Sequence, residues 1–171
     1  MTSNTQKRIA IFDLDGTLCD HSHRIHLVSG KKKDFDKYHD LCPIDPPNES
    51  VVASCKRMGG KGVPIVLMTG RPDSHRQVTE DWLRSMGIKY QALHMRPAGK
   101  FMKSKDMKLN WVNEYYGGIG NVVSVFEDKK DVVDMWVEQK VPFVHALPDL
   151  SFPGETFRLY SYGKEVKMPQ V

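Results

Sequence analysis

Short runs of consecutive apolar residues alternate along the chain with longer segments in which apolar residues recur every three or four positions. The runs are rich in β-branched residues, which predicts strands covered on both faces, and the longer segments predict helices that pack one face on a sheet. The predicted strands are Arg8–Asp13, Val63–Met68, Tyr90–His94, Val122–Phe126 and Val141–Ala146. The predicted helices are Asn48 or Glu49 to Met58, Asp73–Met86, Ser104–Tyr116 and Lys129 or Lys130 to Gln139.

The alternation of strands and helices predicts βαβ units, and therefore an α/β fold with a doubly wound (Rossmann-like), mainly parallel sheet. Paired glycines, Gly59-Gly60 and Gly117-Gly118, follow two of the predicted helices and suit the left-handed conformation of a helix C-terminus. Asp73 is the predicted N-cap of another helix. Ligands of such folds bind beyond the carboxyl ends of the strands, so we expect the chemistry there.

Two segments fall outside this alternation. Residues 17–47 contain scattered aromatics, four histidines and the basic run Lys31–Lys33. We expect this insertion after the first strand to form a small cap on a single domain that spans residues 1–171. No element is predicted from Pro148 onward, because that segment has no clear period.

Composition narrows the class of protein. Three cysteines without close metal-ligand spacing fit a reducing compartment, so we expect a cytoplasmic protein. The first apolar run is short and contains Asp13, which argues against a signal peptide or a membrane span, and no membrane partner is expected. The formal net charge of +4 is compatible with a polyanionic partner but does not require one.

The strongest chemical signal is the run from Asp13 to Thr17 (DLDGT) at the end of the first strand. A turn at Gly16 can bring the carboxylates of Asp13 and Asp15 into one pocket, and paired carboxylates suit Mg²⁺. One carboxylate can attack a phosphate ester while the other moves protons. The same pattern also occurs in acidic turns and calcium loops, but its position after a buried strand favours catalysis.

Two further strand ends carry polar residues. Thr69, Gly70 and Arg71 combine a hydroxyl, free backbone amides and a guanidinium, which suit a phosphate cradle; the same run also occurs in plain turns, but its register with the first motif favours the cradle. Glu127 and Asp128 close a later strand and are expected to complete the Mg²⁺ shell, although Asp128 also suits a helix N-cap.

Together these motifs resemble the haloacid dehalogenase superfamily of phosphatases. The runs GRPDSHRQVTEDWL, HMRPAGKFMKSKDMKLNWV and FEDKKDVVDMW look more specifically like the 3′-phosphatase domain of phage polynucleotide kinase and its stand-alone relatives. The resemblance covers about residues 8–150. No kinase P-loop pattern occurs in the chain, so kinase activity is not expected.

The resemblance implies roles for individual residues. Asp13 would be the nucleophile, Asp15 the general acid and base, and Lys108 the lysine that steadies the nucleophile; Lys108 is chosen over Lys103 and Lys105 by its spacing from Arg96. The remaining implied residues are Thr69 and Arg71 on the phosphate, Arg24 and Arg96 near the substrate, and Asp128 on the metal, where Asp13, Asp15 and Glu127 are also expected from their positions at strand ends. Ser104 departs from the relatives, which often have an aspartate there, and this could weaken the support of a neighbouring arginine.

We therefore expect a Mg²⁺-dependent phosphomonoesterase that works through an aspartyl phosphate on a phosphorylated nucleotide or nucleic-acid end, with 3′-phosphate ends of polynucleotides favoured. A 5′-nucleotidase is the alternative substrate assignment. A non-hydrolytic phospho-accepting signalling module is the alternative from another class, although such modules lack the second aspartate. His21, His23 and His26 match no metal-ligand spacing and are expected on the cap surface or against substrate.

Overall fold

The computed structural model describes residues 8–168, which form one seven-stranded sheet with helices on both faces. The strands are β1 (Ile9–Phe12), β2 (Ile65–Pro72), β3 (Ala92–Arg96), β4 (Val122–Glu127), β5 (Phe143–Ala146), β6 (Arg158–Ser161) and β7 (Lys164–Val166). The helices are α1 (His26–Ser29), α2 (Phe35–Asp40), α3 (Glu49–Gly60), α4 (Arg76–Ser85), α5 (Ser104–Tyr116) and α6 (Lys130–Glu138). The strand order is β3-β2-β1-β4-β5-β6-β7, and the first five strands in this order are parallel.

The predicted doubly wound α/β fold is confirmed. Alternate side chains of β1 point to opposite faces, so Ala10 and Phe12 join one core cluster while Ile9 and Ile11 join the other. Helices α3 and α4 cover the first face, and α5 and α6 cover the second. The chain builds β2 and β3 on one side of β1 before it crosses to β4, so β1 lies at the point where strand order reverses.

Two of the helix-end predictions are wrong. Helix α3 continues through Gly60, and the left-handed turn comes later, at Gly62 with φ 83°. The Asp73 side chain does not cap α4; its carboxylate instead accepts a hydrogen bond from the backbone N–H of Ala98 at 3.0 Å. By contrast, Gly117 ends α5 with φ 68°, as its position after the helix predicted.

Residues 17–47 hold the two short helices α1 and α2 and a 3-10 turn, Cys42–Ile44. Several polar side chains of this insertion are buried against the carboxyl end of β1, among them His21, Arg24 and Asp45. The insertion therefore supplies part of the wall around the predicted site.

The segment from Pro148 onward adds two strands that the sequence pattern did not reveal. Strand β6 pairs antiparallel with β5, and β7 pairs antiparallel with β6. Their residues are half-buried or exposed, so no apolar run marks them. Among residues 8–168, no helix has both the length and the apolar composition that crossing a bilayer requires.

Candidate active site

The predicted site residues gather at the carboxyl edge of the three central strands. Asp13 directly follows β1, Glu127 is the last residue of β4, and Thr69, Gly70 and Arg71 lie near the end of β2. Because these strands are parallel neighbours, their carboxyl ends meet at one edge. The side chains there divide into two adjoining groups with different partners.

The first group, called the carboxylate cluster, consists of Asp13, Glu127 and Asp128 around the ammonium of Lys108. One possible ligand oxygen from each acid lies within 4.8 Å of the other two. The Nζ of Lys108 donates to Asp13 Oδ1 and to Glu127 Oε2, each at 2.6 Å. Thr17 Oγ1 lies 3.4 Å from an oxygen of both Asp13 and Asp128. All five side chains are buried.

Negative charge outweighs positive charge in the carboxylate cluster, since three carboxylates face one ammonium. Burial, together with the charges of Asp13, Glu127 and Asp149, raises the pKa of Asp128 well above its usual range. Burial and the Asp13 charge also raise the pKa of Glu127, although Lys108 opposes them. Burial alone would lower the pKa of Lys108, but Asp13 and Glu127 raise it, so the ammonium stays charged.

The residues of this cluster fit a hard divalent cation. Oxygen ligands are what Mg²⁺ prefers, and a bound cation would relieve the repulsion that raises the pKa of Asp128. His21 Nε2 is buried 3.9 Å from Asp128 Oδ2 and makes no hydrogen bond within residues 8–168, so this nitrogen could contact a ligand bound to the carboxylate. Glu127 is less able to bind a metal ion, because its Oε1 also accepts hydrogen bonds from the backbone N–H groups of Asp128 and Lys129 at 3.2 Å.

Gly16 allows the turn between the two aspartates to approach Asp128. Its φ is 80°, a conformation that favours glycine, and a Cβ built there would lie 2.1 Å from Asp128 Oδ2 and 2.9 Å from His21 Nε2. Two physical reasons therefore favour glycine at position 16: the backbone conformation, and the space that the Asp128 carboxylate needs.

The second group, called the arginine cluster, consists of Arg24, Arg71, Asp15 and Asp45. Arg71 donates to Asp15 through Nη2 at 2.6 Å and through Nε at 3.0 Å, and its Nη2 lies 3.3 Å from Asp45 Oδ2. Arg24 forms ion pairs with both Asp15 and Asp45, and its guanidinium lies 4.1 Å from the centre of the Tyr38 ring. Both arginine side chains are fully buried.

This pairing fixes the charge state of Asp15. Burial would raise the pKa of Asp15, but the positive charges of Arg71 and Arg24 outweigh it and hold the pKa well below its usual range. Asp15 is therefore anionic in this arrangement. Asp15, Asp45 and Cys19 also bring three possible metal ligands within 4.8 Å of one another, but the two guanidiniums already supply the positive charge there.

The predicted phosphate cradle adjoins the arginine cluster, with which it shares Arg71. Thr69 is fully buried, and its Oγ1 accepts from the backbone N–H of Arg71 at 3.1 Å. Arg96 lies at the outer side of the cradle: it donates to the carbonyl of Gly70 at 3.1 Å, to the carbonyl of Met102 and to Ser104 Oγ at 3.1 Å. Ser104 thus contacts a neighbouring arginine, Arg96, through its hydroxyl.

Asp45 and Thr17 had no role assigned from the sequence, and His21 was expected on the cap surface or against substrate but is buried. Asp45 joins both arginines, His21 lies beside Asp128, and Thr17 bridges Asp13 and Asp128. Thr17 belongs to the recognised DLDGT run, so its position offered a signal. His21 and Asp45 lie in the insertion, where no periodicity indicates which polar residues turn inward.

A groove of about 620 Å³ is lined in part by Gly16, and no residue of the arginine cluster lines it. Its aromatic wall includes Phe126, His145 and Phe157, with the first two rings stacked at 3.9 Å between centroids. Asp20 also lines it, and no lysine or arginine does. The groove is thus large enough for a nucleobase and offers no positive side chain to a phosphate.

A profile of the polynucleotide kinase PNKP phosphatase domain family matches residues 7–146. A protein of Autographa californica nuclear polyhedrosis virus, named as a bifunctional polynucleotide kinase/RNA ligase, is 32% identical over 139 residues. That alignment covers 80% of this chain but 19% of the viral protein. The chain therefore corresponds to a small part of this relative.

Solved structures are similar over most of the described fold. A chain in the structure of a Pnkp1/Rnl/Hen1 complex superposes with a TM-score of 0.71 and 25% identity, covering 85% of this chain and 47% of that one. A class C acid phosphatase from Bacillus anthracis with tungstate bound superposes with a TM-score of 0.61 and 19% identity, covering 88% and 70%. At that identity the acid phosphatase supports the fold alone.

Proposed function

We propose that this phosphatase domain removes the 3′-phosphate from polynucleotide ends, using Mg²⁺ and an aspartyl-phosphate intermediate. The chain belongs to the polynucleotide kinase PNKP phosphatase domain family of the haloacid dehalogenase superfamily. The observation that carries the chemistry is the buried Asp13 carboxylate, held at 2.6 Å by Lys108 beside two further acids.

In the first step Asp13 attacks phosphorus. A new bond forms between an Asp13 carboxylate oxygen and phosphorus, and the bond between phosphorus and the ester oxygen of the nucleotide breaks. Lys108 donates a hydrogen bond to Asp13 and aims one of its oxygens, because its ammonium is itself fixed by Glu127. Phosphoryl transfer depends mainly on such positioning and on charge stabilisation. Glu127 is thus a positioning residue for Lys108.

Asp15 moves the protons. It must donate a proton to the leaving oxygen in the first step and take one from water in the second. Its two arginine partners favour the anionic form, which is the form that activates water. A substrate phosphate that binds Arg71 would compete for the guanidinium and raise the pKa of Asp15, which favours the protonated form that the first step needs.

In the second step water attacks phosphorus, gives its proton to Asp15, and displaces the Asp13 carboxylate as inorganic phosphate leaves. Asp13 and Asp128 are the residues that would hold Mg²⁺, since the carboxylate of Asp15 is bound by arginines and both oxygens of Glu127 already accept hydrogen bonds. When bound, the cation would neutralise phosphate oxygens and so let an anionic nucleophile approach an anionic ester. Thr69 and the backbone amides near Gly70 would hold the phosphate oxygens.

A 5′-nucleotidase remains the second candidate, because the aromatic groove beside Gly16 could hold the base of a free nucleotide. Family membership favours the polynucleotide end over this alternative.

The buried cysteines, Cys19, Cys42 and Cys55, are all free, which supports the expectation of a reducing, cytoplasmic setting.

The test compares kcat/KM on 3′-phosphorylated oligonucleotides, 5′-phosphorylated oligonucleotides and 3′- and 5′-mononucleotides across salt concentrations. We expect the 3′-phosphorylated oligonucleotide to be the best substrate at low salt and its KM to rise steeply with salt, since a polymer that binds through several phosphates releases counterions. A higher kcat/KM on 5′-mononucleotides at every salt concentration would replace this proposal with the nucleotidase.

A further inference from the structure

The turn that forms the phosphate cradle is connected by hydrogen bonds to an exposed loop, residues 97–103. Arg96 is the link, because one guanidinium donates both to the carbonyl of Gly70 and to the carbonyl of Met102. At the other end of the loop, the backbone N–H of Ala98 donates to Asp73 at 3.0 Å. The loop is thus held at two points, and its position relative to the cradle is defined.

Between these anchors, the Phe101 side chain points entirely into water. Phe101 is 101% exposed, whereas most large apolar side chains of the chain are at least half covered. Lys100 and Lys103, on either side of Phe101, are also exposed, and neither of these two lysines forms an ion pair within residues 8–168. A single exposed apolar residue is ordinary, but an aromatic ring between two free lysines is the combination that single-stranded nucleic acids bind.

Charge also distinguishes the aromatic groove beside Gly16 from the 97–103 loop. The aromatic groove beside Gly16 has Asp20 in its wall and no lysine or arginine, and burial lowers the pKa of its His145 to about 4, so that ring is neutral at pH 7. The side with the 97–103 loop carries Arg96, Lys100 and Lys103. A polymer with one negative charge per nucleotide is therefore expected to leave the site along the loop.

We propose that the 97–103 loop is the binding surface for the polynucleotide that carries the phosphate. The ring of Phe101 stacks on a base close to the reacting end, and Lys100 and Lys103 contact the backbone phosphates that follow. Arg96 is a positioning residue that holds this loop against the cradle. This inference rests on the proposed function and names the part of the chain that would recognise a polymer rather than a free nucleotide.

The experiment measures kcat/KM on a 3′-phosphorylated single-stranded decanucleotide and on p-nitrophenyl phosphate, and compares the ratio of the two between variants. Phe101→Ala is expected to lower this ratio about tenfold through a higher KM on the oligonucleotide, since stacking on one base is lost. Phe101→Trp should restore it, because the larger ring can also stack. Phe152→Ala removes a half-exposed aromatic ring outside the 97–103 loop and serves as the matched control, with the ratio of the wild type expected.

Salt tests the lysines separately. The variant Lys100→Gln/Lys103→Gln should flatten the slope of log KM against log salt for the oligonucleotide by about 0.7 for each phosphate contact removed. Its slope for p-nitrophenyl phosphate should match that of the wild type. Equal oligonucleotide slopes for the two proteins would remove the lysines from the surface.

Two results would overturn the inference. The first is that the wild type hydrolyses the oligonucleotide and Phe101→Ala has the same ratio of kcat/KM on the oligonucleotide to kcat/KM on p-nitrophenyl phosphate as the wild type. The second is a lowered ratio in Phe157→Ala alone, which would place the polymer in the groove instead. A wild-type enzyme that hydrolyses p-nitrophenyl phosphate and no 3′-phosphorylated oligonucleotide would overturn the proposed function as well, so the two failures are distinguishable.

Discussion

Lys108 and Asp13 lie 95 positions apart in the sequence, yet Lys108 Nζ and Asp13 Oδ1 are 2.6 Å apart in the buried centre of the site. The same ammonium is 2.6 Å from Glu127. This geometry makes one lysine the only positive side chain that contacts the carboxylate cluster in the described part of the chain. Its loss would leave buried carboxylates facing one another.

Lys108→Met should lower kcat on p-nitrophenyl phosphate by about 10²–10³-fold, the usual effect of removing one group that stabilises charge in a transition state. It should also lower the melting temperature in EDTA, and Mg²⁺ should restore part of that loss because a cation replaces the missing charge. Lys105→Met removes a neighbouring lysine outside the cluster and is the control. Comparable kcat values for the two variants would contradict the role of Lys108.

Metal dependence can be tested through Gly16. Activity should disappear in EDTA, and Gly16→Ala should raise the Mg²⁺ concentration for half-maximal rate, because its Cβ would displace the Asp128 carboxylate. Gly62→Ala is a matched control: its φ of 83° imposes a similar backbone strain, but nothing lies within 4 Å of the added Cβ. The metal role given to Asp128 is wrong if both variants need the same Mg²⁺ concentration, or if the wild type is active in EDTA.

The arginine cluster should contribute to stability as well as to chemistry. Arg24→Met leaves Asp45 and Asp15 with fewer partners in a buried site, so the free energy of unfolding should fall by about 3 kcal/mol. Arg84→Met breaks an ion pair on the surface of α4 and should cost less than about 0.5 kcal/mol. Urea unfolding measures both. Equal losses would show that the Arg24 pairs add no more than a surface pair.

Stability should depend on pH through His145. Burial lowers its pKa from 6.5 to about 4, so below pH 6.5 the unfolded chain binds a proton that the folded chain does not. The free energy of unfolding should therefore fall between pH 6.5 and about 4, where the folded ring also becomes protonated. His145→Phe keeps a ring against Phe126 but cannot titrate, so its urea midpoint should fall less over that range. Parallel curves for both proteins would contradict this.

The sequence predicted the elements that repeat a simple pattern. Five covered strands stand out as apolar runs, and Asp13, Glu127 and Asp128 follow from their positions at strand ends. The lysine was different: periodicity left Lys103, Lys105 and Lys108 equal, and only the family resemblance singled out the one that contacts Asp13. Strand ends are local features, whereas the partner of a buried charge is a tertiary contact.

The same reason explains what the sequence did not reveal. Asp45 is surrounded by prolines in an insertion without periodicity, and only the folded chain brings Arg24 and Arg71 to it. Asp73 has the residue type and place of an N-cap, but the backbone of the 97–103 loop competes for its carboxylate. Strand β7 is fully exposed, so no apolar run distinguishes it from a turn.

The central claim is that the phosphoryl group passes through Asp13, and acid-quench labelling tests it most directly. Asp15→Asn, mixed with p-nitrophenyl phosphate labelled in its phosphoryl group, should retain the label: this leaving group needs little protonation, whereas the water that releases phosphate lacks its base. We predict label on the peptide that contains Asp13, released by hydroxylamine, and none on Asp13→Asn. Label on another residue, or normal turnover by Asp13→Asn, would contradict the account.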